Sequence, residues 1–81
     1  MSRNELLEKV SEILGEIVDD ENLKLTEETV ADDVADWDST NHVRLMIAIE
    51  SAFGIRFESS EIASPENVGA LLDLIEAKQE A

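Results

Sequence analysis

The 81 residues include twenty acidic and six basic side chains, a formal charge of −14; such a surface repels nucleic acid and anionic membranes and suits basic partners. A chain this short makes one domain with a single small core and no room for a self-contained catalytic cleft. Cysteine is absent, excluding disulfides, thiolate metal sites and an intrinsic thiol nucleophile, and with no apolar run of membrane length and no charged-then-apolar leader the expectation is a cytoplasmic monomer.

Ser2 and Glu5 stand three apart ahead of an apolar-periodic segment, the capping-box pattern, so a first helix is expected over 3–18. Leu6, Leu7, Val10, Ile13, Leu14, Ile17 and Val18 form its core stripe. Gly15 interrupts that stripe at a cost of about 1 kcal/mol relative to alanine, which points to another backbone passing close. Glu5, Glu8, Lys9, Glu12 and Glu16 make a solvated face, with Glu5 to Lys9 a favourable pair.

Between 19 and 38 the periodicity is lost and acidic residues crowd the segment. A connection of about 20 residues is long for a compact domain, so Leu23, Leu25, Val30, Val34 and Trp37 are expected to pin it to the core at intervals. Thr26 to Thr29 suits a short helical turn. Asp32, Asp33, Asp36 and Asp38 lack the alternating oxygen ligands and glycine of a calcium loop, so no dedicated metal site is assigned; loose divalent binding fits better.

A second helix over 39–53 follows from Leu45, Met46, Ile49, Ala52 and Phe53 on one face, with Asp38 and Ser39 the residue types that cap such an end. Val43 and Ile47 are a second apolar pair on the same helix, pointing away from the core stripe; they either meet a partner or pack against the loop. His42 lies three residues after Ser39, yet a hydrolase needs an oriented third group, an oxyanion hole and a pocket, none of which the sequence offers. A structural or partner-facing histidine is the better reading.

Gly54 supplies a left-handed helix end. Ile55 and Phe57 then alternate with Arg56 and Glu58 in a short extended exit. Ser59 or Ser60 caps a brief third helix over 60–63. Ser64 and Pro65 read as a cap followed by proline at the first helical position. Val68, Leu71, Leu72, Leu74 and Ile75 carry a last helix over 65–78, with Lys78 at its negative end and 79–81 fraying. The expected architecture is all-α: a small four-helix bundle of three long helices and one short third helix, with a long ordered loop between the first two, all in a single domain over 1–81.

The run 37–55, Trp-Asp-Ser-Thr-Asn-His-Val-Arg-Leu-Met-Ile-Ala-Ile-Glu-Ser-Ala-Phe-Gly-Ile, resembles the central motif of acyl carrier proteins. There an Asp-Ser pair opens the second helix, an apolar segment ending in Glu follows, and a Phe-Gly-Ile-like exit closes it. The likeness is best over 31–57 and holds in pattern over the remainder. It implies that Ser39 carries 4'-phosphopantetheine, donated from coenzyme A by a separate Mg²⁺-dependent phosphopantetheinyl transferase, and that the arm's thiol holds an acyl group as a thioester. The chain would then be a carrier and not an enzyme. A helix N-terminus suits the phosphodiester, because unpaired N–H groups and the positive dipole end favour an anion. Asp38 would help orient the transferase metal, and as a plain capping acid it is equally explained.

The resemblance also implies enzymes with basic docking surfaces that load and transfer the acyl group, meeting Thr40, Val43, Arg44, Ile47 and Glu50. An acyl pocket would open between the second and third helices, lined by Ile49, Phe57, Ile62, Val68 and Leu72, which equally form a core. Two positions depart from the pattern: Thr40 stands where leucine is common and Arg44 where an acid is common. Arg44 changes which partners fit and hints at a specialised fatty acid, polyketide or lipid pathway. The alternatives are an aminoacyl, D-alanyl or peptidyl carrier, and an unmodified acidic helical adaptor.

Overall fold

The computed structural model describes residues 2–80, which form four α-helices: α1 (Arg3–Val18), α2 (Ser39–Phe53), α3 (Ser59–Ile62) and α4 (Val68–Glu80). No strand occurs among the described residues, and no helix is long and apolar enough to cross a membrane. The expected all-α bundle of three long helices and one short one is what the chain forms.

α1 begins as its sequence requires. The Ser2 hydroxyl accepts from the Glu5 N–H and the Glu5 carboxylate accepts from the Ser2 N–H, each at 3.2 Å. That engagement with Ser2, its side chain first and its backbone second, lowers the Glu5 pKa from the ordinary carboxylate value. Glu5 therefore does not pair with Lys9; Lys9 reaches Glu12 instead, at 4.0 Å. The helix ends on Asp19 in the left-handed conformation, and the Asp20 N–H donates to the Gly15 carbonyl at 2.8 Å.

α1 packs on both α2 and α4. Its Leu6, Val10 and Leu14 meet Leu45, Met46 and Ile49 of α2 and Val68, Leu71, Leu72 and Ile75 of α4 in one core, joined by Leu25, Trp37 and Ile55. Each such side chain contributes about 1.5–3 kcal/mol in gross burial, set against the entropy of ordering the chain. On α2 the stripe is narrower than its spacing suggests: Phe53 is half-buried and Ala52 exposed.

The connection from 19 to 38 is ordered without a helix of its own beyond a 3-10 turn at Ala31–Asp33. Leu25 and Trp37 are buried, and Leu23 and Val34 pack partly against the core. The expected helical turn at Thr26 to Thr29 is a hydrogen-bonded turn only, closed by Thr29 N–H to Thr26 O at 3.1 Å and by Thr26 N–H to the Thr29 hydroxyl at 2.9 Å.

The connection also initiates the last helix. The Val68 N–H donates to Thr29 O at 2.9 Å and the Gly69 N–H to Glu27 O at 2.8 Å, while the Asn67 side chain accepts the Ala70 N–H at 2.8 Å. These partners supply what the first turn of a helix lacks. They move its start from the expected Pro65 to Val68. Ser64 does not cap it; the Ser64 hydroxyl donates back to Glu61 O at 3.2 Å. At the other end Gln79 and Glu80 remain helical, and the expected fraying of Ala81 lies outside the described residues.

α3 spans 59–62, one residue earlier than the expected 60–63. Neither serine caps it. Glu58 occupies the cap position, and its N–H donates to the Glu61 carboxylate at 2.7 Å. Lys78 of α4 pairs with Glu61 at 2.7 Å, tying the short helix to the last one.

Arg3 fastens the opposite corner. Its guanidinium meets Glu27 at 2.8 Å, Asp73 at 2.9 Å and Glu76 at 2.6 Å, and donates to Gly69 O at 3.1 Å. One fork thus joins α1, the connection and α4. The Glu27 hydrogen bond is the largest cause of a raised Arg3 pKa and of a lowered Glu27 pKa.

Candidate functional site

α2 starts where the Asp38 side chain accepts the Asn41 N–H at 2.9 Å, and the Asp38 carbonyl accepts the His42 N–H at 2.8 Å. Asp38 is the cap and is extended, at φ −102° and ψ −174°. Ser39 is therefore the first helical residue, and its side chain is free of the capping task. It is exposed, as are Asp38 and Thr40.

The corner before Ser39 is braced from several directions. Asp36 turns the chain with φ 68°, and its carbonyl accepts from the Asn41 side chain at 2.8 Å. Short polar side chains tolerate that left-handed backbone better than branched ones do. Trp37 is buried beneath the corner, 8 % exposed, and its indole N–H donates to His42 Nδ1 at 3.1 Å, with the two rings stacked 5.9 Å apart. His42 Nε2 lies 2.7 Å from Ile62 O. Both ring nitrogens of His42 are thus engaged in holding the fold. The sequence pointed to a structural or partner-facing histidine, and these bonds are structural.

Along α2, Val43 and Ile47 are 44 % and 55 % exposed, the large apolar side chains that stand most open among the described residues. Arg44 lies exposed between them in sequence. Glu50 is half-buried and its carboxylate accepts the Phe57 N–H at 2.7 Å, so it fastens the exit from α2. That exit turns at Gly54, φ 65°, with Ile55 N–H donating to Glu50 O at 3.1 Å.

Of the five residues expected to line a pocket, Ile49, Val68 and Leu72 are fully buried core, while Phe57 and Ile62 are half-buried and packed on its rim. A small cavity of about 50 Å³ lies elsewhere, bounded by Trp37, His42, Pro65 and Leu71 among others, and none of the five reaches it. No group of three or more histidine, aspartate or glutamate side chains among the described residues could hold a metal ion.

An exposed serine thus opens the second helix of a small acidic bundle. The chain is 31% identical to an acyl carrier protein of Thermotoga maritima over 77 residues, 95% of this chain and 95% of that one. With an acyl carrier protein of Petrotoga mobilis the identity is 32% over 78 residues, 96% of this chain and 92% of the relative. The chain belongs to the acyl carrier protein family.

No protein-family model matches the chain. The acyl carrier fold is nevertheless shared with a solution structure of holo acyl carrier protein from Geobacter metallireducens, at TM-score 0.83 and 35% identity, covering 93% of this chain and 86% of that one. Within the acyl carrier frame, the loop carbonyls that cap α4 and the Trp37–His42–Ile62 chain are features that pattern reading missed. Asn67 was a legible signal for the helix start, being a strong capping residue three positions before the Ala70 amide it accepts.

Proposed function

We propose that this acyl carrier protein holds acyl intermediates as thioesters on a 4'-phosphopantetheine arm attached to Ser39. The single observation that carries the reading is the position of Ser39, exposed and one residue inside a 15-residue helix capped by its neighbour Asp38. Because the cap is a different residue, modifying the Ser39 hydroxyl costs α2 none of its capping bonds. First-turn N–H groups and the helix dipole favour a phosphate there. The arm would supply the thiol that a chain without cysteine lacks. The holo state of the Geobacter metallireducens relative supports a prosthetic group of this kind in the family.

The enzymes implied are a phosphopantetheinyl transferase and acyl-loading and acyl-transferring partners that present a basic surface with an apolar notch. Val43 and Ile47 suit the notch, and the charge of −14 suits the basic rim. Arg44 is a positive charge within that strip, so the preferred partners place an acid opposite it, in keeping with a specialised fatty acid, polyketide or lipid pathway.

Incubation of the purified chain with coenzyme A, Mg²⁺ and a promiscuous transferase, followed by intact-mass measurement, tests the attachment. One phosphopantetheine mass is expected on the wild-type chain and none on Ser39→Ala. A folded wild-type chain that gains no mass would reduce the reading to an unmodified acidic adaptor. Loading by acyl rather than aminoacyl donors then separates the acyl carrier from an aminoacyl, D-alanyl or peptidyl one.

A further inference from the structure

The contacts of His42 admit one protonation state. Trp37 Nε1–H is a donor only, so the His42 Nδ1 that lies 3.1 Å from it must carry a lone pair. Ile62 O is an acceptor only, so the Nε2 that lies 2.7 Å from it must carry the proton. The ring satisfies both partners as the neutral Nε2–H tautomer and as no other form. Adding a proton at Nδ1 sets two N–H donors face to face at the indole, while the bond to Ile62 becomes charge-assisted and stronger.

We propose that His42 is a pH-sensitive latch: neutral, it binds Trp37 to the C-terminal end of α3; protonated, it lets go of Trp37 and keeps α3. Histidine is the side chain whose charge ordinarily changes between pH 5 and 8. The charged groups on the elements around the ring are Asp36 and Asp38 beside the corner, Arg44 on α2, Glu61 on α3, whose carboxylate is taken by Lys78 of α4, and Glu66, which lines the same small cavity as His42. The contact that turns unfavourable is the indole N–H.

Ser39 lies in the chain between the two partners of that bond. Opening it frees the buried brace under the corner that presents the serine, and this consequence, unlike the latch itself, rests on the carrier reading. The position of His42 among Trp37, α2 and α3 makes it a positioning residue for the Ser39 turn.

The test is an NMR titration of the unmodified chain from pH 8 to pH 5, following the His42 ring and the indole N–H of Trp37, the sole tryptophan. The two are expected to move with one midpoint, the indole N–H resonance shifting as its acceptor is lost. In His42→Gln the side chain offers an acceptor and a donor without titrating, and the indole resonance should stay flat across the range. An indole resonance that does not move while the His42 ring titrates, or a ring that takes up no proton above pH 5, overturns the latch. The wild-type titration decides the matter even if the variant folds poorly, and neither outcome depends on whether Ser39 accepts an arm.

Discussion

Gly15 and Asp20 meet backbone to backbone: the Asp20 N–H donates to Gly15 O at 2.8 Å, and a Cβ on Gly15 would lie 2.8 Å from Asp20 O. The oxygen belongs to the main chain, so it cannot swing aside as a side-chain tip would. Gly15→Ala gains about 1 kcal/mol of helix propensity and meets an overpacking cost of about 1–3 kcal/mol. The expected net result is a lower midpoint in urea unfolding. A midpoint above wild type would show that the turn yields freely.

Asp38→Ala removes the acceptor of the Asn41 amide while leaving Ser39 in place. A loss of about 1 kcal/mol of stability is expected, most of it recovered in Asp38→Asn, because asparagine caps about as well as aspartate. Denaturant unfolding of the two variants side by side checks this. Equal losses in both would mean that the charge and not the cap matters.

Glu27 has a folded-state pKa below its ordinary 4.5, with the Arg3 hydrogen bond as the leading cause. A depressed pKa means that the unfolded chain binds the proton more readily. The associated stability is therefore present above about pH 4.5 and fades as pH falls through the folded-state value. Glu27→Gln is expected to lower Tm near neutral pH, and its difference from wild type is expected to shrink as pH falls below about 4.5. Thermal scans across that range measure it, and a difference that persists at low pH would assign the effect to packing.

Ile47→Ser changes a side chain that is 55 % exposed, and surface changes of that kind move stability by about 0.5 kcal/mol or less. On the proposed docking role of this strip, its expected signature is an unchanged unfolding midpoint together with slower acyl transfer by partner enzymes. An unfolding midpoint that drops by much more would place Ile47 in the core's support.

The helices that were legible in the sequence are those whose signals are local. Ser2 with Glu5, the stripe of Leu6, Val10 and Leu14, and Gly54 after Phe53 each decide their own few residues, and α1 and α2 run as their spacing predicts. The start of α4 was misplaced because Pro65 is a local signal overruled by distant partners, Glu27 O and Thr29 O. α3 resisted for the same reason, being four residues long and tied through His42 and Lys78. At the site, Asp38 and Ser39 were placed at a helix N-terminus from sequence, while which of the two caps depended on a backbone angle that sequence does not print. The role of Glu50, and half of that of His42, lies in hydrogen bonds to main-chain atoms that carry no residue identity.

The two carbonyls that receive the Val68 and Gly69 amides make the long connection and the last helix a single cooperative unit. Neither has its hydrogen bonds without the other, although about 40 positions of chain separate them. The closing turn of the last helix therefore gains its partners only when a segment far back in the chain is in place. Amide protons of 68 and 69 should consequently become protected in the same kinetic step that orders residues 27–29, whatever the helical propensity of the C-terminal segment by itself.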